Sequence, residues 1–453
     1  MDDIFRGRQI IARLDRLPIW PYPRYFLFII GIGFFFAFFD TLTIGLALPR
    51  IEIAFGVNLQ QATWTITSSL VGYIIGAFII GYFSDKFGRK LGLILSISLF
   101  TLGSFACAIS LDLSWLIFWR FITGMGIGAE LIIVTSMMEE LSPAMIRGRS
   151  TSIAIAFGMF GFAIAPFIAY FLVPQFANGW RILFALGGIG GVFIGITRSV
   201  LPDSPRWLVL QNEFDRAEKI VLAAEQQVRQ QWGQELPIPK HIDHHQPLIR
   251  DSSLENFFHP PILKRVFQFS LLWFIYYIGN YAWLTLAPSL LIKQGFTLAS
   301  SIGFVAIASF GFVIGSLLTV ILSELFERKW LAVILMFIWA ATLFVIAWFP
   351  NPTIIMVAGF IATTTIAMTI PILYIYTGEN FPTHIRATSL AVTDGLGHLG
   401  GAFCGQIIFF ISNLTIANSY NFHSAFTIMA ITGVITAFLL IPGLMMTHRS
   451  LND

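Results

Sequence analysis

The sequence predicts an all-α membrane protein whose twelve transmembrane helices form two pseudo-twofold-related six-helix bundles. Three observations carry that expectation. Of 453 residues, 56% are hydrophobic and only 11% charged, with a mean hydropathy of +0.78, whereas a soluble globular chain carries about 25% charge. Apolar stretches of roughly 18–25 residues recur along the chain, each long enough to cross about 30 Å of hydrocarbon as a helix. The two halves also align at one fixed offset of 239 residues.

So few charges cannot cover a soluble surface of this size, which excludes an ordinary soluble enzyme, a disordered chain and a coiled coil. Two cysteines exclude a disulfide scaffold. The net charge of +3 is small and the basic residues are scattered, so nucleic acid is not an expected partner. The expected partners are the lipid bilayer, protons and a small-molecule substrate, and nothing calls for a cofactor.

Residues 1–24 carry Arg6, Arg8, Arg13, Arg16 and Arg24, with no short apolar core of a cleaved signal, and read as a retained cytoplasmic tail. The apolar stretches follow at roughly 25–48, 63–83, 91–110, 115–138, 150–173, 180–201, 267–291, 301–323, 331–348, 354–376, 388–411 and 424–446. They are numbered here as spans 1–12. They divide the chain into a first bundle (25–202), a polar cytoplasmic linker (203–265), a second bundle (266–446) and a short tail (447–453). Their continuous apolarity excludes a barrel of alternating strands. With the N-terminus inside, 23 of the 27 Lys and Arg fall on cytoplasmic segments or the linker and its edges. That asymmetry puts both termini in the cytoplasm of a multi-pass plasma-membrane protein.

The offset of 239 turns Glu140, Pro143 and Arg147 into Glu379, Pro382 and Arg386, so E-x-x-P-x-x-x-R occurs twice. It also maps Gly72 onto Gly311, Gly76 onto Gly315, Ser84 onto Ser323, Asp85 onto Glu324, Arg89 onto Arg328 and Lys90 onto Lys329. Parallel repeats of this kind place a substrate site near the midplane between the halves, and rocking of the halves gives alternating access.

The segment Gly81-Tyr82-Phe83-Ser84-Asp85-Lys86-Phe87-Gly88-Arg89-Lys90 resembles the G-x-x-x-D-[RK]-x-G-R-[RK] loop of the major facilitator superfamily, between spans 2 and 3 as in that family. The E-x-x-P-x-x-x-R copies follow spans 4 and 10, again as in the family. Pro202-Asp203-Ser204-Pro205-Arg206-Trp207-Leu208 is similar to the P-E-S-P-R-W-L after span 6 of sugar porters and organic-ion transporters. The second gate loop departs from the pattern, with Glu324 in place of Asp and Glu327 opposite Gly88. Physically, a carboxylate at Asp85 can bond neighbouring guanidinium groups and favour a helix N-terminus in the other half. Glu140–Arg147 and Glu379–Arg386 are expected to pair similarly. Asp85, Arg89, Glu140, Arg147, Glu324, Arg328, Glu379 and Arg386 are the expected gating set.

A charge at mid-bilayer costs at least ~2.5–3.5 kcal/mol, so the few present point to function. Asp40 in span 1 and Arg120 in span 4 lie at similar depth and invite a pair. The resemblance implies that these spans are neighbours, and Phe39-Asp40-Thr41 resembles the G-Y-D-T of sugar porters. Asp40 is expected to bind the coupling proton beside Arg120. Gly128-Ala129-Glu130 resembles the G-G-[ED] of phosphate, niacin and metabolite symporters and makes Glu130 a second proton-site candidate. The competing expectation for each is a static pair or hydrogen bond that sets packing.

Asp394 and His398 stand four residues apart on one face of span 11. The resemblance puts a substrate-charge contact at His398, where organic-cation transporters carry Asp and organic-anion transporters Arg. In span 7, Asn280 stands among Tyr277, Tyr281 and Trp283, an amide with stacking faces that the resemblance places along the cavity. Tyr374 and Tyr376 of span 10 are weaker candidates. Residues 211–232 read as an amphipathic cytoplasmic helix. His241, His244 and His245 are a poor match to a metal site. No P-loop, nucleophile elbow or H-E-x-x-H occurs, so the chain is expected not to be an enzyme.

These features predict a secondary active transporter, working as a monomer, that moves a small organic metabolite with protons. An aromatic or heterocyclic carboxylate of nicotinate type suits Arg120, His398 and the span 7 aromatics. A sugar–proton symporter, a drug/proton antiporter and a non-transporting nutrient sensor are the alternatives.

Overall fold

The computed structural model describes residues 2–198, 201–239, 260–381, 385–415 and 422–445. Among them, ten helices are long and apolar enough to cross a membrane, and a bent pair makes an eleventh span. Span 7, Pro260–Lys293, is the twelfth. Its 34 residues reach about 50 Å at about 1.5 Å per residue. Tyr276, Tyr277, Asn280 and Tyr281 dilute its apolarity.

Span 7 thus starts seven residues before the 267 read in the sequence, and spans 1 and 11 differ as well. Span 1 runs from Arg24 to Phe55 and carries Pro49 inside it. Arg50, expected in an outer loop, is still helical and donates from Nε to Val173 O and from Nη2 to Pro174 O, both at 2.8 Å. The helix stops at Gly56, which adopts the left-handed conformation with φ 63°. Asn58 and Gln61 then form a reciprocal capping box that starts the short helix leading into span 2. Span 11 is broken, with Arg386–Ala402 and Cys404–Thr415 meeting at Phe403 at a bend of 54°.

Packing repeats the internal symmetry. In the first half, span 1 packs on 5 and 6, span 2 on 4, span 3 on 4 and 6. In the second half, span 7 packs on 11 and 12, span 8 on 10, span 9 on 10 and 12. These are the same pairs shifted by six. The halves meet where 5 touches 8, 11 touches 2, and 1 touches 7, a set that exchange of the halves maps onto itself. The glycine contacts repeat too. A Cβ on Gly72 or Gly76 would strike the backbone carbonyl of Phe121 or Met125, and one on Gly311 or Gly315 that of Phe360 or Thr364. Small residues let these backbones touch.

The N-terminal segment is more than a tail. Asp2–Asp15 is a helix that packs against the linker helices Pro205–Leu210 and Phe214–Trp232. Ile10, Leu14 and Leu17 are buried with Phe214, Val221 and Val228. Arg13 bonds Glu218 and Glu225, Arg16 bonds Glu225 at 2.6 Å, and Asp15 receives Arg206 at 2.5 Å. Burial would push the Glu225 carboxyl up, but hydrogen bonds from Arg13 and Arg16 more than offset it and hold it below its ordinary value. A lowered carboxylate contributes stability above its unfolded value, about 4.3, and that contribution disappears as pH falls through the folded value. Acidification below about pH 4 is therefore expected to loosen the N-terminal helix. Arg13→Glu should speed amide exchange in residues 2–15 roughly tenfold, the effect of about 1.4 kcal/mol, and Arg13→Glu with Glu225→Arg should restore protection. Hydrogen exchange checks both outcomes.

Candidate functional site

The site grows from one buried ion pair. Asp40 stands near the middle of span 1 and Arg120 two turns into span 4, and both are about 1% exposed. Arg120 Nη1 donates to Asp40 Oδ2 at 2.7 Å, and Nη2 donates to Ser69 Oγ of span 2 at 3.0 Å. Phe184 of span 6 lies under the guanidinium, 5.4 Å from its centre. Asp40 Oδ1 and Arg120 Nε find no partner among the described residues. The pair thus joins two spans while keeping one acceptor and one donor unspent.

Glu130 is held differently. Arg198 of span 6 grips it with both guanidinium nitrogens, Nη1 donating to Oε2 at 2.6 Å and Nη2 to Oε1, and Ser96 of span 3 adds a bond at 2.9 Å. Arg198, expected among the cytoplasmic cations at the linker edge, is instead 1% exposed inside the bundle. Its position next to a polar segment concealed its role. A Cβ on Gly33 of span 1 would strike both partners, so only glycine lets span 1 close over them. Glu130 does not line the cavity between the halves.

That cavity holds ≈ 150 Å³ and is walled by Arg120 and Tyr73 from the first half and by Tyr277, Asn280, Tyr281 and His398 from the second. Asp394 sits just behind the wall. Its Oδ1 accepts from the hydroxyls of Tyr277 at 2.7 Å and Tyr374 at 2.6 Å, while His398 Nδ1 lies 3.4 Å from Oδ2 and 2.9 Å from the Asp394 carbonyl. The His398 ring stacks on Tyr73 across the two halves, with centroids 4.7 Å apart and planes 17° from parallel. Asn280 is buried, and its Oδ1 has no partner among the described residues. Trp283 lies off the cavity, donating to Thr363 Oγ1 at 3.2 Å and packing on Phe426. Tyr376 turns away and donates to Leu444 O. Sequence reasoning missed Tyr73 and Ser69. Tyr73 stands between Gly72 and Gly76 of an apolar span, and that was its only signal.

The gate residues pair within halves. Arg89 bonds both Asp85 and Glu140, the latter at 2.7 Å from Nη2. Its counterpart under the repeat, Arg328, bonds Glu379. Arg147, expected on Glu140, reaches Asp15 at 3.5 Å. Arg386 donates to Gly378 O at 2.9 Å. The Glu324 side chain, Pro382 and His241, His244 and His245 lie outside the described residues. Polar contacts between halves lie toward the side away from the linker or near the midplane. Thr67 donates to Ala402 O at 2.7 Å, Gln406 to Thr63 Oγ1 at 3.2 Å, Ser289 to Glu52 Oε1 at 3.1 Å and Ser309 to Ala163 O at 2.9 Å. These bonds join the halves there.

A family model described as Major Facilitator Superfamily matches residues 30–405. The chain belongs to the major facilitator superfamily. It is therefore a multi-pass membrane transporter of that superfamily and not an enzyme. The putative metabolite transport protein YyaJ of Bacillus subtilis is 30% identical over 405 residues, 88% of each chain. The niacin transporter NiaP of Acinetobacter baylyi is 26% identical over 441 residues, 96% of each. A crystal structure of a D-xylose-proton symporter superposes with a TM-score of 0.73 at 20% identity, covering 93% of this chain and 98% of the other.

Removing one member of a buried pair leaves the other charge uncompensated. Arg198→Met strands a carboxylate that cannot reach water, and the loss is expected at about 3–5 kcal/mol, with Glu130→Leu added to Arg198→Met recovering most of it. Melting of the purified variants in detergent measures this.

Proposed function

We propose that this superfamily transporter is a proton-coupled symporter for a one-ring aromatic or heterocyclic carboxylate. The observation that carries the reading is Arg120, which forms part of the cavity wall and at the same time holds Asp40. A guanidinium offers five donors in a planar fork suited to carboxylate. A substrate carboxylate in the cavity can take the face of that fork that Asp40 now occupies, while Asp40 accepts a proton on its unpartnered oxygen. Binding and protonation then favour each other, because neither leaves a bare charge in the membrane interior. Asp40, rather than Glu130, is assigned the proton in this scheme, since Glu130 is clamped by Arg198 outside the cavity.

The aromatic preference rests on the rings of Tyr73, Tyr277 and Tyr281 and on the cavity volume, which matches the space that holds one benzene ring. Asn280 would meet a ring heteroatom or hydroxyl. The relative named as a niacin transporter carries a cargo of this chemistry. In this reading the linker side is cytoplasmic, following the distribution of Lys and Arg. The two six-span bundles, 25–202 and 266–446, rock about the cavity in the plasma membrane, and one chain suffices. The gate networks around Arg89 and Arg328 form contacts between halves when the linker side closes.

Proteoliposomes carrying an imposed inward proton gradient are expected to accumulate labelled nicotinate or benzoate and to ignore xylose. Asp40→Asn should abolish uphill uptake yet retain counterflow exchange. Arg120→Lys should raise KM at least about tenfold, since a point charge replaces a bidentate fork. Accumulation persisting in Asp40→Asn would sink the scheme.

A further inference from the structure

The two halves repeat the same span contacts but differ at their linker-side ends. In the first half, the ends of spans 1, 4 and 6 enclose Tyr22, Phe26, Ile29, Met137, Leu141 and Leu201, all buried in one core with Leu14 of the N-terminal helix and Leu17 just after it. The offset of 239 carries these six positions to Pro261, Arg265, Gln268, Tyr376, Asn380 and Leu440. In the second half those residues line an open slot of ≈ 330 Å³ between spans 7, 10 and 12. No described helix caps it.

Four of the substitutions between the copies share a direction. Ile29 becomes Gln268, Leu141 becomes Asn380, Phe26 becomes Arg265, and Tyr25 becomes Lys264. Each exchange adds polarity or positive charge where the first half has an apolar or aromatic side chain. Lys264 and Arg265 are exposed at the mouth, and Arg265 uses one nitrogen, Nη1, on Asn380 O at 3.1 Å. The floor stays apolar, with Phe269, Leu272 and Leu439. A slot that only awaited a second amphipathic helix would have kept the apolar lining of its twin. Two cations above an apolar floor, at the ends of three membrane spans, match a molecule that is anionic at the interface and hydrocarbon below it.

We propose that this slot binds one anionic phospholipid, its phosphodiester on Lys264 and Arg265 and an acyl chain along Phe269 and Leu272. The lipid does for the second half what the N-terminal helix does for the first: it fills the linker-side end of the bundle. The site shares no lining residue with the central cavity, so it stands whether or not the substrate assignment does.

The test is native mass spectrometry of the full chain in detergent, with phosphatidylglycerol, phosphatidylcholine or inorganic phosphate added. The wild-type chain is expected to retain phosphatidylglycerol and to release phosphatidylcholine, and inorganic phosphate should not displace the lipid. Lys264→Gln with Arg265→Gln should lower retention roughly tenfold. Lys219→Gln with Arg229→Gln, exposed on the linker helix, should leave it unchanged. Should the double variant at the slot misfold, Lys264→Gln alone, at an exposed position, is expected to lower retention severalfold. Equal retention in slot and linker variants overturns the proposal, as does equal retention of phosphatidylcholine. Displacement by inorganic phosphate overturns the lipid as source. Binding that emerges only after removal of residues 446–453 overturns it as well, because the chain's own end would then be the occupant.

Discussion

Charge in a hydrocarbon environment must be compensated within the protein, and that constraint organises this molecule. Asp40 and Arg120 compensate each other between spans 1 and 4, with Ser69 drawing in span 2. Glu130 and Arg198 do the same across spans 4 and 6, with Ser96 drawing in span 3. Each pair fixes neighbours at a set depth. The difference lies in surplus capacity. Both oxygens of the Glu130 carboxylate are bonded, whereas Asp40 keeps one oxygen without a partner among the described residues. Only the second kind of pair can exchange partners without being dismantled.

Symmetry supplies the rest of the architecture. The same span contacts occur in both halves, and the same glycines meet the same backbone carbonyls at equivalent positions. Gly72 against Phe121 is repeated as Gly311 against Phe360. Such backbone contacts leave no slack for spans 2 and 4, or 8 and 10, to slide, which suits motion of whole halves over motion of single helices. The seams between halves add aromatic contacts such as Phe162 on Phe312 and Tyr73 on His398 to one close backbone approach, Gly45 on Thr285.

Much of this was legible in the residues because it depends on pattern. Apolar length gave the spans, and the offset gave the twofold relation and the equivalence of Arg89 with Arg328. Asp40 and Arg120 stood out because a charge within an apolar run has few places to go. What the sequence withheld depends on contacts between distant segments. Arg198 looked like a cytoplasmic cation since it adjoins a polar stretch, and only tertiary packing turns it inward. Trp283 sits one helical turn from Asn280 yet faces Thr363. The pairing of Glu140 with Arg89 in place of Arg147 follows from the approach of spans 2, 3 and 4, which spacing along the chain does not encode. The N-terminal helix was hidden for a similar reason, since its apolar face is short and finds its partner more than two hundred residues away.

The break at Phe403 changes what parting the halves on the side away from the linker would require. The piece after it, Cys404–Thr415, bears Gln406 against Thr63, while the piece before it carries Asp394 and His398. The earlier piece also packs along span 2, with Ala402 O accepting from Thr67, so the joint divides the contact with the first half between two pieces. Parting the halves there would have to free both pieces, Gln406 from Thr63 and Ala402 from Thr67, and the second of these lies on the same rigid stretch as His398.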